Sequence, residues 1–391
     1  MTKIKLLRNA FIIAAALALL TACGRKEKTT VKNETEPISE STGVTEEPTG
    51  EGVEIVIGEN VNNDAKEFED KVMSTDIEIT GYTEYNDTES YFLSQGDKVA
   101  VITPSSMANS DQVNSTVTGL KQWGFEPVLG KYVSVGLRTL EECIEDFEWA
   151  LNDPEIKAIF CVRGGYGGSD VLDTIPADLI ASAKKPIIGY SDITAYHSAW
   201  SVAGLPSIHA CMSETFVSLP KACADAELNM MKGMIPSYRC KSNKYCKAGS
   251  AEGVLIGGNM STVLATLNTA YDCTKIDEHY IIFLEEVGEN IQHLHRYLTI
   301  LKHAGVLDNA DGIIFGEWTN CDMASGNFGD QRGGYFESVE DMIDSQILSD
   351  IDIPVAFGFP AGHEKTNYPL LMGANVKLNV GNNSYTVSWG E

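Results

Sequence analysis

The chain has 391 residues and a formal net charge of −26, from 55 acidic against 29 basic side chains, with 43% hydrophobic residues. So large an acidic excess excludes a nucleic-acid binder, whose phosphate contacts require a cationic face. The length leaves room for two ordinary domains or one large one once a polar N-terminal stretch is set aside.

In chain order, Lys3, Lys5 and Arg8 precede an apolar run from Phe11 to Leu20. That run falls short of the ~20 residues a spanning helix needs, so it reads as the core of a signal peptide. It ends in Leu20-Thr21-Ala22-Cys23, which resembles the bacterial lipoprotein cleavage site. Residues 1–22 are therefore expected to be a lipoprotein signal peptide and Cys23 the lipidated N-terminus, anchoring the protein to the cell membrane on its extracytoplasmic side. More than one acyl chain is needed for such an anchor to hold. Residues 23–90 are rich in Thr, Glu, Asp and Asn and read as an acidic, largely disordered tether. Within it Val53–Ile57 and Ile77–Tyr82 are the runs able to form short strands.

Beyond the tether the spacing predicts an α/β fold. Lys98–Thr103 is a strand of buried type, Gln112–Trp123 a helix closed by Gly124, and Phe125–Leu129 a second strand. Leu140–Leu151 is a helix with apolar residues at Leu140, Ile144, Phe147 and Leu151. It leads into the strand Ile156–Val162, and a further strand, Ile187–Gly189, leads into a helix over Ile193–Val202. Alternating strands and helices imply a mostly parallel sheet, with ligands beyond the carboxyl ends of its strands. The pattern breaks between Ser218 and Ala251, where Pro220, Gly233 and Pro236 fall. This sets a boundary between an N-terminal α/β domain, 91–235, and a C-terminal β-rich α/β domain, 236–391. In the second, strands are expected at Ala251–Ile256, Tyr280–Leu284, Asp311–Gly316, Ile353–Phe359, Val376–Val380 and Tyr385–Trp389, with a helix over Ile291–Ala304.

Four segments carry chemistry. In Gly189-Tyr190-Ser191-Asp192 a strand turns into a helix through a serine, which exposes a hydroxyl at a helix N-terminus where a developing oxyanion is favoured. The same residues would also serve as a plain helix cap. Val162-Arg163-Gly164-Gly165-Tyr166-Gly167-Gly168 is a glycine cluster after an apolar strand, with neither the Lys-Ser/Thr pair of a phosphate loop nor a dinucleotide spacing. Leu284-Glu285-Glu286 puts two carboxylates at a strand end, and Gly362-His363 puts a histidine in a loop after another strand. A carboxylate orienting a histidine that activates a serine is the general logic of a triad. His293, His295 and His303 share one helical region without a metal-type spacing, and Cys161 lies inside a strand as a packing residue.

Together these segments, with Val99–Ser106, Gly257-Gly258-Asn259 and Leu284–Glu289, resemble the LD-carboxypeptidase family of serine peptidases, which includes the microcin C immunity peptidases. They occur in the family's order and cover nearly all of the folded part. The resemblance implies Ser191 as nucleophile, His363 as general base and Glu285 as its orienter, with Glu286 the competing neighbour. It implies an oxyanion hole from the N–H of Asp192 and that of Gly164 or Gly165, a dimeric assembly, no cofactor and no metal. The expected reaction is hydrolysis of an L,D peptide bond, releasing D-alanine from murein tetrapeptides at the cell envelope. An immunity peptidase acting on a peptide–nucleotide antibiotic is the alternative within the family, and a non-catalytic solute-binding lipoprotein the alternative outside it. The chain departs from the family at His209-Ala210-Cys211, where His-Gly-Pro is usual, and in a long loop between Trp318 and Ser338. Eight cysteines remain beside Cys23, of which Cys240 and Cys246 are close enough for a local disulfide in an oxidising compartment.

Overall fold

The computed structural model describes residues 76–85, 91–133, 136–213, 218–321 and 336–390. The expected signal peptide, Cys23 and most of the expected tether lie outside them. Two sheets organise the rest. The first has six strands in the order β12-β6-β5-β4-β2-β3. These are β2 (Lys98–Ile102), β3 (Glu126–Leu129), β4 (Ile156–Cys161), β5 (Ile187–Gly189), β6 (Ser207–His209) and β12 (Leu370–Met372). All pair in parallel except β12, which runs antiparallel to β6. Helices α1 (Ser110–Gln122), α2 (Leu140–Asn152) and α5 (Thr194–Val202) connect them, with α3 (Gly168–Leu172) and α4 (Ala177–Ala183) between β4 and β5. Reciprocal capping boxes, Asn109 with Gln112 and Thr139 with Glu142, set where α1 and α2 begin.

The second sheet has eight strands in the order β1-β7-β14-β13-β8-β9-β10-β11. They are β1 (Ile77–Glu84), β7 (Met234–Lys241), β8 (Gly249–Asn259), β9 (Tyr280–Val287), β10 (Gly312–Thr319), β11 (Val355–Phe357), β13 (Asn375–Val380) and β14 (Ser384–Trp389). From β8 to β11 the pairing is parallel, and from β1 to β8 it is antiparallel. The parallel strands are buried almost throughout, as β9 shows, and read as largely apolar runs. Helix α8 (Ile291–His303) packs Leu294, Leu298 and Leu301 into their core.

Among the differences from the sequence expectation, three shape the scaffold. The stretch read as a break holds helix α6 (Lys221–Met231) and the strand β7. Pro236 was the misleading signal. It lies in β7 opposite Tyr82 of β1, beyond the stretch from Tyr238 to Lys241 that pairs with β14, so the missing N–H faces no strand on that side. Strand β1 comes from the last part of the expected tether, where a short strand-forming run was visible, and it forms the edge of the second sheet. Finally, β12 returns from the C-terminal part of the chain to complete the first sheet. The two sheets therefore share chain across position 235, and both belong to one compact unit. Cys240 and Cys246 are free thiols.

Candidate active site

The carboxyl ends of β4 and β5 form one half of the site. Strand β5 is fully buried and ends at Gly189, whose φ of 154° lets the chain turn sharply. Tyr190 is extended, and Ser191 follows with φ 64°, in the left-handed region that costs a side-chain-bearing residue roughly 1 kcal/mol or more. One turn of 3-10 helix, Ser191–Ile193, then feeds α5. The strained turn is tied down from several sides. His197, one turn into α5, contacts Gly189 O at 2.9 Å through Nε2 and Ser207 Oγ at 2.8 Å through Nδ1. Burial pushes the His197 pKa down to about 4, so the ring stays neutral. Ala210 N–H donates to the same Gly189 carbonyl at 3.1 Å.

The glycine loop closes over this corner. Gly168 N–H donates to Asp192 Oδ2 at 2.8 Å. A Cβ on Gly164 would stand 2.8 Å from Ser191 Cβ and 3.1 Å from Asp192 N, so only glycine fits against the serine. A Cβ on Gly165 would meet Ser106 Oγ at 2.2 Å. Ser106 holds the loop from its other side, accepting from Tyr166 N–H at 3.1 Å and donating its own N–H to Gly164 O at 3.1 Å. The structure thus brings Gly164 against Ser191 and Asp192, whereas Gly165 is exposed and packs on Ser106.

The carboxyl end of β9 forms the other half. Glu285 and Glu286 are adjacent in an extended strand and so point to opposite faces. Glu285 is fully buried, and its Oε2 accepts from His363 Nδ1 at 2.8 Å. The other oxygen, Oε1, has no hydrogen-bond partner among the described residues. Gly362, with φ 143°, is what allows the approach, since a Cβ there would lie 3.0 Å from Glu285 Oε2. Glu286 instead faces the start of helix α7 (Met260–Thr266). It accepts from Asn259 Nδ2 at 2.8 Å, Ser261 N at 2.8 Å and Val287 N at 2.9 Å. Burial raises the pKa of Glu286, opposed by those three donors.

Burial on its own would lower the pKa of His363, but the hydrogen bond and charge of Glu285, with the charge of Glu286, outweigh it and hold the pKa above the ordinary value. The His363 ring lies 4.9 Å from that of Tyr190, the residue before the serine, centroid to centroid. Among the described residues no hydrogen bond joins Ser191 to His363, an arrangement familiar in free enzymes, where catalytic contacts tighten only with substrate.

Several supporting residues carried no recognisable sequence signal. Thr194 Oγ1 accepts from Asn259 N–H at 2.9 Å and so joins the serine helix to the end of β8. His209 is buried beside Tyr190, His197 and Phe283, with neither ring nitrogen bonded among the described residues. Burial, His197 and His363 hold its pKa well below the ordinary value. Its triplet stood out only as a departure from a pattern. Glu317, at the end of β10, bonds Ala361 O through its N–H at 3.1 Å, and burial, with Glu364 and Glu340, pushes its carboxyl pKa up to about 7. It is one of many strand-end acids in the sequence. His293 is engaged by Glu289, and no group of three or more His, Cys, Asp or Glu suited to a metal ion occurs among the described residues.

Comparison with known proteins meets this geometry at both halves. Residues 99–210 match the LD-carboxypeptidase N-terminal domain, and residues 252–378 match the LD-carboxypeptidase C-terminal domain. The chain belongs to the LD-carboxypeptidase family. Among its relatives is the murein tetrapeptide carboxypeptidase of Pseudomonas aeruginosa, 29% identical over 288 residues that cover 69% of this chain and 89% of that one. The microcin C7 self-immunity protein of Escherichia coli is 25% identical over 335 residues, covering 76% and 94%. The crystal structure of the muramoyltetrapeptide carboxypeptidase from Oxalobacter formigenes superposes with a TM-score of 0.65 over 75% of this chain and 99% of that one, at 22% identity, which establishes a common fold. As a member of the LD-carboxypeptidase family the chain is a peptidase, and the matched domains contain Ser191 in the first and Glu285 and His363 in the second.

Proposed function

We propose that this LD-carboxypeptidase relative is a serine peptidase that hydrolyses the L,D bond of murein tetrapeptides and releases the terminal D-alanine at the cell envelope. The observation that carries the assignment is the buried Glu285 carboxylate holding His363 at 2.8 Å beside the strained serine turn. In the first half-reaction Ser191 Oγ adds to the carbonyl carbon while His363 Nε2 takes its proton. Glu285 keeps Nδ1 protonated, fixes the tautomer and stabilises the imidazolium. The N–H groups of Asp192 and Gly164 are the donors nearest the developing oxyanion. The intermediate collapses as His363 returns the proton to the departing D-alanine nitrogen, which leaves an ester on Ser191. Water, deprotonated by His363, then attacks the ester carbonyl; His363 returns the proton to Ser191 Oγ as the ester C–O bond breaks, and the shortened peptide leaves with a free carboxyl terminus.

Incubating the purified protein with a tetrapeptide ending in D-alanine and following the products by mass spectrometry tests this reading. The expected products are the tripeptide and free D-alanine, and an intact tetrapeptide would overturn it. The similarity to the microcin C7 self-immunity protein supports a second reading, in which the same three residues cleave a peptide–nucleotide or acyl-sulfamate antibiotic. Turnover of that substrate with none of the tetrapeptide would select it.

The envelope location rests on Cys23 at the end of the apolar N-terminal run. Cys23→Ala is expected to move the protein out of the membrane fraction or leave it unprocessed, as read by fractionation and intact mass. Unchanged membrane association would remove the anchor from the proposal.

A further inference from the structure

One side chain at the rim of the serine corner is not used by the catalytic assignment. Arg163 leaves β4 two residues past its end and directly precedes Gly164, the glycine pressed against Ser191 and Asp192. It is exposed, and its Nη1 donates to Met107 O at 3.2 Å, across the turn that follows β2. That bond holds the guanidinium at the carboxyl end of the first sheet, on the loop that borders the nucleophile. No ion pair joins Arg163 to a described residue, whereas Lys98, Lys131, Lys221, Arg239 and Lys302 are each paired with a carboxylate. Carboxylates stand close to the reacting atoms, namely Glu285, Glu317 and Asp192, while the guanidinium of Arg138 is tied to Thr103 and Ser105 on the turn after β2.

This arrangement poses a problem for a carboxypeptidase. The leaving residue carries its own carboxylate, separated from the scissile nitrogen only by one α-carbon. Such an anion, brought close to these carboxylates, is repelled unless a cation faces it. Arginine suits the role because its planar fork takes both oxygens of a carboxylate and stays charged at any working pH. We propose that Arg163 binds the C-terminal carboxylate of the leaving residue and so makes the enzyme a carboxypeptidase rather than an endopeptidase. The proposal rests on the peptidase reading above.

The test uses the full chain and two substrates, a tetrapeptide ending in D-alanine and the same peptide with a C-terminal amide. Wild type is expected to cleave the free acid with the higher kcat/KM. Arg163→Gln should lower kcat/KM for the acid roughly 10- to 100-fold, the worth of a charged hydrogen bond, and leave the amide within about twofold. Arg163→Lys should recover part of the loss on the acid alone, keeping the charge without the fork. Equal losses on both peptides would mean that Arg163 only holds the loop through Met107, and would overturn the proposal. So would a wild type indifferent to the amide, or a selective loss on the acid in Lys365→Gln, the exposed cation two residues past His363, with none in Arg163→Gln. A wild type that cleaves neither peptide would sink the underlying peptidase reading and this proposal with it.

Discussion

Two strand ends meet at the site, and they are built on opposite plans. At the end of β5 the backbone sets the geometry. Gly189 permits the turn, Ser191 takes a left-handed conformation, and Gly164 leaves a gap only a hydrogen atom wide. At the end of β9 side chains set it, because strand alternation sends Glu285 to His363 and Glu286 to the base of α7. The first end should therefore be intolerant of added atoms and the second intolerant of lost charge.

The largest effects test the two ends as one machine. Ser191→Ala and His363→Ala are each expected to cut kcat on the order of 10⁶-fold, with the double variant scarcely worse, because residues acting as a unit are not additive. Losses of only a few-fold in steady-state assays would remove the triad. Glu285→Gln should cost less, about 10⁴-fold, since part of the orientation survives. It should also change the pH profile. On the proposed mechanism His363 acts as a base only when neutral, so kcat/KM should rise with pH through its pKa. Glu285 contributes to holding that pKa above the ordinary value. Removing the charge lowers it, and the acid limb moves to lower pH. A limb that stays in place would separate Glu285 from His363.

Gly164→Ala tests the backbone plan. Its Cβ would press on Ser191 Cβ at 2.8 Å, and a displaced nucleophile is expected to lose about 10²-fold in kcat while the protein remains folded by circular dichroism. Glu286→Gln is the sharpest contrast with its neighbour. It weakens three buried bonds that hold α7 and should cost about 1–3 kcal/mol in denaturant unfolding, with kcat of the folded fraction nearly intact. Should Glu286→Gln abolish turnover and Glu285→Gln leave it unchanged, the orienting role would pass to Glu286.

The same contrast explains what could be read in the sequence. Elements with a strong period, such as α2 and β9, stand close to where spacing alone put them, because burial of one face dictates both sequence and structure. Two kinds of element escaped. Helix α6 and strand β7 were hidden by Gly233 and Pro236, whose local meaning is a break, while tertiary pairing with β1 and β14 decides otherwise. Strand β12 is three residues long and is defined by its partner β6 rather than by any pattern of its own. For the site, the residues alone left Ser191, Glu285 and His363 with ordinary alternative explanations, and family resemblance joined them. Glu285 and Glu286 differ only in which face of the strand they occupy, and that depends on strand register. His197 and Thr194 act through bonds to other segments and leave no local trace, whereas Asn259 stood out only within the Gly257-Gly258-Asn259 resemblance.

The short strand β12 has a consequence for when the enzyme can first work. His363 sits on the segment between β11, in the second sheet, and β12, in the first. The first sheet is thus finished by residues near the end of the chain, and so is the placement of the histidine beside the serine. A growing polypeptide that has already made the entire serine corner still lacks both His363 and its outermost strand. Closing so long a loop is slow compared with forming local turns. On the proposed mechanism, Ser191 would thus stay without His363 until the chain is all but complete.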